Sequence, residues 1–119
     1  MMPPMLTKDA PLTRRRSPHR DGWLVYAADV MAGSIVKESG LAGSEHWVWR
    51  CGFYPGSNPG ERRSGTAATF EEARLQFERA WMAFVARRTE ADFDRWRDHR
   101  DWTLRKYAAI DRGEQVPLR

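Results

Sequence analysis

The side chains best suited to chemistry are few and scattered. The histidines are His19, His46 and His99, and Cys51 is the sole cysteine. His46 and Cys51 stand five apart in an extended stretch, which turns them to opposite faces of a strand, so they cannot share one metal ion. No HxxxH, HExxH or CxxC spacing occurs, and no structural zinc site or other cofactor is expected. A lone cysteine also rules out an internal disulfide and fits a reducing, cytoplasmic setting. No nucleophile elbow or Walker loop is present. The glycine-rich stretch from Gly52 to Gly65 lacks the GK[ST] ending of a phosphate loop and reads as a hairpin loop. A row of carboxylates, Glu90, Asp94, Asp98 and Asp101, falls on one sector of a helix. Arg97 and Arg105 stand at ion-pairing distance along the same helix, so the row reads as a solvated, salt-bridged face. With no base or nucleophile poised by spacing, a catalytic role is not expected.

What remains is binding chemistry. The chain carries a formal charge of +4, and its location matters more than its size. Residues 1–21 hold Lys8, Arg14, Arg15, Arg16 and Arg20 against Asp9 and Asp21, which accounts for three of the four charges. The rest of the chain is close to neutral. A segment with four prolines, scattered charge and little apolar periodicity reads as a disordered basic arm over 1–21, with Arg14, Arg15 and Arg16 able to grip phosphates. A second candidate surface lies near the C-terminus, where Arg95, His99 and Lys106 flank Trp102, on the side of its helix opposite the apolar stripe. An outward tryptophan among cations suits a partner contact or a dimer seam.

These groups need a scaffold, and the chain supplies one of α+β class. Trp23–Ala28, Gly33–Glu38, His46–Phe53 and Arg62–Ala67 read as the strands of a small antiparallel sheet of three or four strands. The period of two places Trp47, Trp49, Cys51 and Phe53 on one face, and His46, Val48 and Arg50 on the other. Thr69 and Glu72 make a capping box that opens a helix over about 70–88. Its stripe of Phe70, Ala73, Phe77, Ala80, Trp81, Phe84 and Val85 should lie on the tryptophan face of the sheet. Leu75 and Met82 form a flank that could receive a further helix. Thr89 and Asp92 repeat the capping signal, and a second, long helix should run over about 90–111, its apolar face formed by Phe93, Trp96, Thr103, Leu104, Tyr107 and Ile110. Arg100 falls in that face and should snorkel or pair with an acid. A single domain over 22–112 and a frayed tail over 113–119 complete the expectation. No apolar run of about 18 residues is present, so no membrane span is expected.

Two resemblances follow from these residues. Trp47-Val48-Trp49-Arg50-Cys51, Gly65-Thr66, Thr69-Phe70-Glu71-Glu72-Ala73 and Phe77-Glu78-Arg79-Ala80 resemble the middle strand, last strand and helix of the AP2-like DNA-binding domain over residues 47–84. The Trp-x-Trp strand, the Thr-x-Glu-Glu-Ala helix start and the later Ala-Trp are also similar to short bacterial proteins of unassigned function from high-G+C proteobacteria, over residues 23–84. The AP2-like resemblance implies a three-stranded sheet on one helix, whose outer face enters the major groove of DNA. Carried over residue by residue, it assigns groove contact to Arg50 and Arg63; Gly52 and Glu61 stand where that family places arginines. The expectation is therefore a non-catalytic nucleic-acid-binding protein that uses His46, Arg50 and Arg63 with Arg14–Arg16. The alternative is a protein-interaction module docking around Trp102.

Overall fold

Alternating strand formers, a glycine-rich loop and two capped amphipathic segments build a five-stranded antiparallel meander followed by two helices. The computed structural model describes residues 5–40 and 43–116. The strands are β1 (Leu12–Arg16), β2 (Gly22–Ala27), β3 (Val30–Ser39), β4 (Glu45–Cys51) and β5 (Arg63–Ala67). They lie side by side in chain order. The helices are α1 (Phe70–Val85) and α2 (Glu90–Asp111), and a 3₁₀ turn at Thr7–Asp9 precedes the sheet. Among the described residues, no helix is long and apolar enough to cross a membrane.

The core forms where the sequence pattern places it. Trp49, Cys51 and Phe53 are buried against Phe77, Trp81 and Phe84 of α1. Trp49 meets Phe77 edge-on at 6.4 Å, and Phe53 meets Phe84 edge-on at 5.1 Å. These geometries set the positive rim of one ring against the negative face of the other. Trp47 is only half-buried and packs its ring on Phe70 at 5.4 Å. Gly65 lies opposite Trp49 in the β4–β5 ladder. A Cβ there would fall 2.7 Å from the indole, so only glycine lets the ring lie flat across β5. The helices start at the expected caps. Thr69 Oγ1 accepts the Glu72 N–H at 3.2 Å, which is one half of the expected capping box. At α2 both halves of the capping box form, with Thr89 Oγ1 accepting from Asp92 N and Asp92 Oδ2 accepting from Thr89 N.

Two expectations change. Residues 1–21 were expected to be a disordered arm; the described part from residue 5 is ordered, and Arg14–Arg16 belong to an edge strand paired with β2, which makes the sheet five-stranded where three or four strands were expected. Residues 1–4 lie outside the described residues. The stems of the arginines explain the order. Arg14 and Arg16 lay their guanidinium groups over Trp23 at 4.3 and 4.5 Å, and Arg15 lies over Tyr26 at 4.5 Å. A charge count registers the guanidinium heads and misses the aliphatic stems and ring contacts that bind them to β2.

The second change concerns α2. Phe93 is buried among Phe53 and Trp81, but Leu104, Tyr107 and Ile110 are 61%, 59% and 48% exposed. Leu75 and Met82 are exposed too and receive no helix. Instead, α2 is fastened at the β2–β3 turn through Arg97 and Arg100. Its last three turns, roughly 16 Å long, bury Ala109 but leave Leu104, Tyr107 and Ile110 exposed. Of the tail expected to fray over 113–119, Glu114–Val116 are exposed, and 117–119 lie outside the described residues.

Candidate nucleic-acid interface on the uncovered sheet face

Both helices pack on the tryptophan side, which leaves the other face of the sheet without a helix. Cross-strand partners in an antiparallel ladder point to the same side, so the register settles which residues share that face. Val36 pairs with Val48, Ser34 with Arg50 and Glu38 with His46. Leu24 pairs with Ser34 and with Arg15, and Ser64 pairs with Arg50. The uncovered face thus carries Arg15 at one side, Arg50 and His46 near the other, and Leu24 and Tyr26 between them.

Val36 and Val48 are buried at its centre although no helix covers them. An arc of charged side chains frames this pair: Arg20 donates to Glu38 Oε1 at 2.5 Å, and Arg50 stands 4.0 Å from the same oxygen. Arg20 and Arg50 remain more than half exposed, so Glu38 orders the two cations without enclosing them. Among the strand positions facing this side, Glu38 is the one acid. It stands against Arg50 from the sheet and Arg20 from the β1–β2 turn.

The register corrects part of the expected site. Arg63 pairs with Cys51, and Cys51 is in the core; Arg63 therefore faces the helix side. Its guanidinium donates to Gly60 O at 2.5 Å, beside a cleft formed with Ala80, Phe84 and Arg87. The same parity removes Arg14 and Arg16, which pair with Val25 and Trp23 of the helix side. Of the six residues proposed from sequence for nucleic acid, Arg15, His46 and Arg50 share the outer face, while Arg14, Arg16 and Arg63 do not. Arg20 joins the set, and its position in a turn hid it from strand periodicity. The signal for Arg63 was present: Ala67 and Gly65 are small because they lie under the tryptophans, and residue 63 has their parity.

The second candidate set lies on α2. Trp102, expected to point outward, is half-buried. His99 stands 6.2 Å from its ring and Lys106 Nζ 5.4 Å, and Arg95 is exposed. The carboxylate row on this helix serves the fold. Glu90 accepts the Thr7 and Lys8 N–H groups at 2.9 and 3.3 Å, Asp94 pairs with Arg97, and Asp101 pairs with Arg100 rather than with Arg97 or Arg105. Burial pushes the Glu90 pKa up, but the bonds from Thr7 and Lys8 prevail and leave it lowered.

Two anchoring clusters escaped the sequence reading. Asp29, in the β2–β3 turn, accepts from Arg97 Nε at 3.1 Å and from Arg100 at 2.8 Å, and Arg97 also reaches Thr7 Oγ1 at 2.7 Å. The Arg97 bond, then Arg100, hold the Asp29 carboxyl far below its ordinary range against the opposing effect of burial. Arg88 is buried, donates to Gly56 O, pairs with Glu61 and lies 4.7 Å over the Phe84 ring. It ties the loop after β4 to the junction of the helices. Pairings at such separations in the chain leave no local mark.

Cys51 lies in the core, where burial pushes its thiol up to about 12; a reactive thiolate is disfavoured there. No group of three or more His, Cys, Asp or Glu among the described residues is placed to hold a metal ion. The fold defines the chain as a five-stranded meander with two helices on one side. No known protein family, curated protein or solved structure matches it.

Proposed function

We propose that this protein is a non-catalytic nucleic-acid-binding module that lays the uncovered face of its sheet on the sugar-phosphate backbone. The observation that carries the reading is the one-sided helix layer: it leaves bare a sheet face with Arg15 and Arg50, bordered by Arg20, on which Glu38 is the one acid among the described strand positions. Arginine forks of this kind donate to phosphate oxygens. Tyr26 and His46 on the same face offer ring surfaces to bases. With few cations, affinity is modest and falls steeply with salt. Fluorescence anisotropy with a duplex and a single-stranded oligonucleotide tests it. Arg15→Ala with Arg50→Ala should weaken binding roughly tenfold or more at low salt, while Arg63→Ala, on the other side of the sheet, should leave it nearly unchanged. Absence of binding at low salt, or equal losses from both variants, overturns the reading.

A second reading rests on α2. Leu104, Tyr107 and Ile110 lie within one apolar stripe of its last three turns, all about half exposed or more. This stripe suits docking against another protein, with Trp102 and Lys106 on the other flank of the helix. Light scattering of the wild type and of Leu104→Asp decides whether that partner is a second copy.

A further inference from the structure

Cations gather where β4 ends and the chain returns as β5. A cleft of about 320 Å³ there is bordered by Arg50, Arg62, Arg63 and Ser64, with Gly52 and Gly60 between them. Among the described residues, no carboxylate borders it. A second cleft, of about 330 Å³, shares Gly60 and Arg63 and adds Arg87. Arg63 stands at the junction of the two, since its guanidinium donates to Gly60 O at 2.5 Å.

The charge of this corner is not balanced from within. Glu61 is the acid nearest in the chain, and it is already engaged: it accepts the Asn58 N–H at 2.6 Å and pairs with buried Arg88. Arg62, Arg63 and Arg87 have no carboxylate within ion-pairing distance among the described residues. Arg50 has only Glu38, at 4.0 Å. Arg62 lies instead over the Tyr54 ring at 5.9 Å. Like charges around one space oppose one another, and an anion seated among them relieves that opposition.

The loop that carries these residues is held in shape by its own bonds. Ser57 Oγ donates to Phe53 O at 2.6 Å, Glu61 N–H donates to Asn58 O at 3.2 Å, and Arg88 grips the loop at Gly56 O and Glu61. Gly60, at φ 85°, makes the left-handed bend that returns the chain toward β5. A loop fixed in this way loses little freedom on binding. Chemistry then selects the occupant. Guanidinium forks hold phosphate oxygens in pairs. Three forks call for more oxygens and more negative charge than one phosphate group supplies, and a diphosphate supplies both. We propose that the cleft between the end of β4 and the start of β5 binds a diphosphate group, free or at the end of a small molecule. This site does not rest on the sheet-face reading: Arg62 and Arg63 take no part in that reading, and only Arg50 is common to both.

Isothermal titration calorimetry of the full-length protein at low salt tests this, with inorganic pyrophosphate as probe. Pyrophosphate should bind at least about tenfold more tightly than sulfate. Arg62→Lys with Arg63→Lys keeps the charge and removes two forks; it should cut affinity by about tenfold and leave oligonucleotide binding unchanged. Arg62→Glu with Arg63→Glu should abolish pyrophosphate binding. Arg95→Glu with Arg105→Glu, the same change of charge made on α2, should leave it within about twofold. All four arginines are exposed, so these variants keep the fold. ADP binding as tight as that of pyrophosphate supports a diphosphate at the end of a small molecule, and binding of pyrophosphate alone supports the free anion. The proposal is overturned by absence of pyrophosphate binding, by equal affinity for sulfate, or by equal losses in the two glutamate variants. A parallel loss of oligonucleotide binding in the lysine variant overturns it as well, and assigns the forks to nucleic acid.

Discussion

Across β3–β5 the helix side of the sheet is sealed by α1, and Phe77 is 1% exposed beneath it. Across β1–β2 the same side is covered unevenly: Val25 and Ala27 are buried, but Trp23 stays half-buried under the guanidinium groups of Arg14 and Arg16, with Phe70 of α1 6.5 Å away. Both halves carry aromatic rings on the helix-facing positions. They differ in what covers the rings: in one half they are enclosed by rings of α1, in the other Trp23 lies under two guanidinium groups beside a cleft of about 460 Å³, with Phe70 at its margin. Rings packed on rings supply stability. A ring left under a cation at the surface keeps apolar area near solvent, at the cost of a weaker local core.

This contrast makes quantitative claims. Phe77→Ala removes a ring enclosed on all sides and should destabilise the protein by about 4 kcal/mol, measured by urea denaturation. A loss near 1 kcal/mol would mean that α1 does not seal its half. Arg88→Ala strips the buried anchor of the same half, leaving Gly56 O without its side-chain donor and Glu61 with the Asn58 N–H alone. It should cost roughly 3 kcal/mol and release the loop after β4, seen as faster exchange at Phe53–Gly60. Trp23→Ala, in the open half, should cost only about 1–2 kcal/mol. If it matched Phe77→Ala, the two halves would be equally sealed.

The next test concerns the fastening of α2. Asp29 has its pKa lowered from an ordinary 3.8 by Arg97 and Arg100. A depressed carboxyl stabilises the fold above its unfolded value and loses that contribution as the pH falls toward its folded value. Stability should therefore decline as the pH drops below about 4, and Asp29→Asn should flatten that decline. Asp29 is half exposed, so solvent screens the cluster and the variant should cost only about 1 kcal/mol at neutral pH. A decline of the same slope in the variant would show that other carboxylates carry the acid response.

The sealed half was legible because its signals are local. Trp47, Trp49, Cys51 and Phe53 alternate within one strand, Phe77, Trp81 and Phe84 recur at helical spacing, and Thr69 and Thr89 mark the helix starts. The open half was misread because its order comes from contacts between charged stems and rings, Arg14 on Trp23 and Arg15 on Tyr26. Residue type counts such arginines as solvated. The candidate site suffered in the same way. Arg50 was placed outward correctly because β4 alternates strongly, whereas Arg63 was placed on the wrong side because β5 has only glycine, alanine and polar residues to show its parity. Arg20, Asp29 and Arg88 owe their roles to partners distant in the chain.

The smallest expected effect is the most discriminating for α2. Leu104 and Tyr107 continue the face that buries Phe93, yet they are mostly exposed. In a free molecule such positions contribute little, so Leu104→Ser with Tyr107→Ser should change stability by no more than about 0.5 kcal/mol. The two serines lower helix propensity slightly, which accounts for a change of that size. A loss of several kcal/mol would mean that this stretch of α2 is buried in solution against the body of the protein or against another copy. Repeating the denaturation at two protein concentrations separates these cases. A midpoint that rises with concentration in the wild type and not in the variant assigns the stripe to self-association, since dimer stability scales with protomer concentration and intramolecular packing does not.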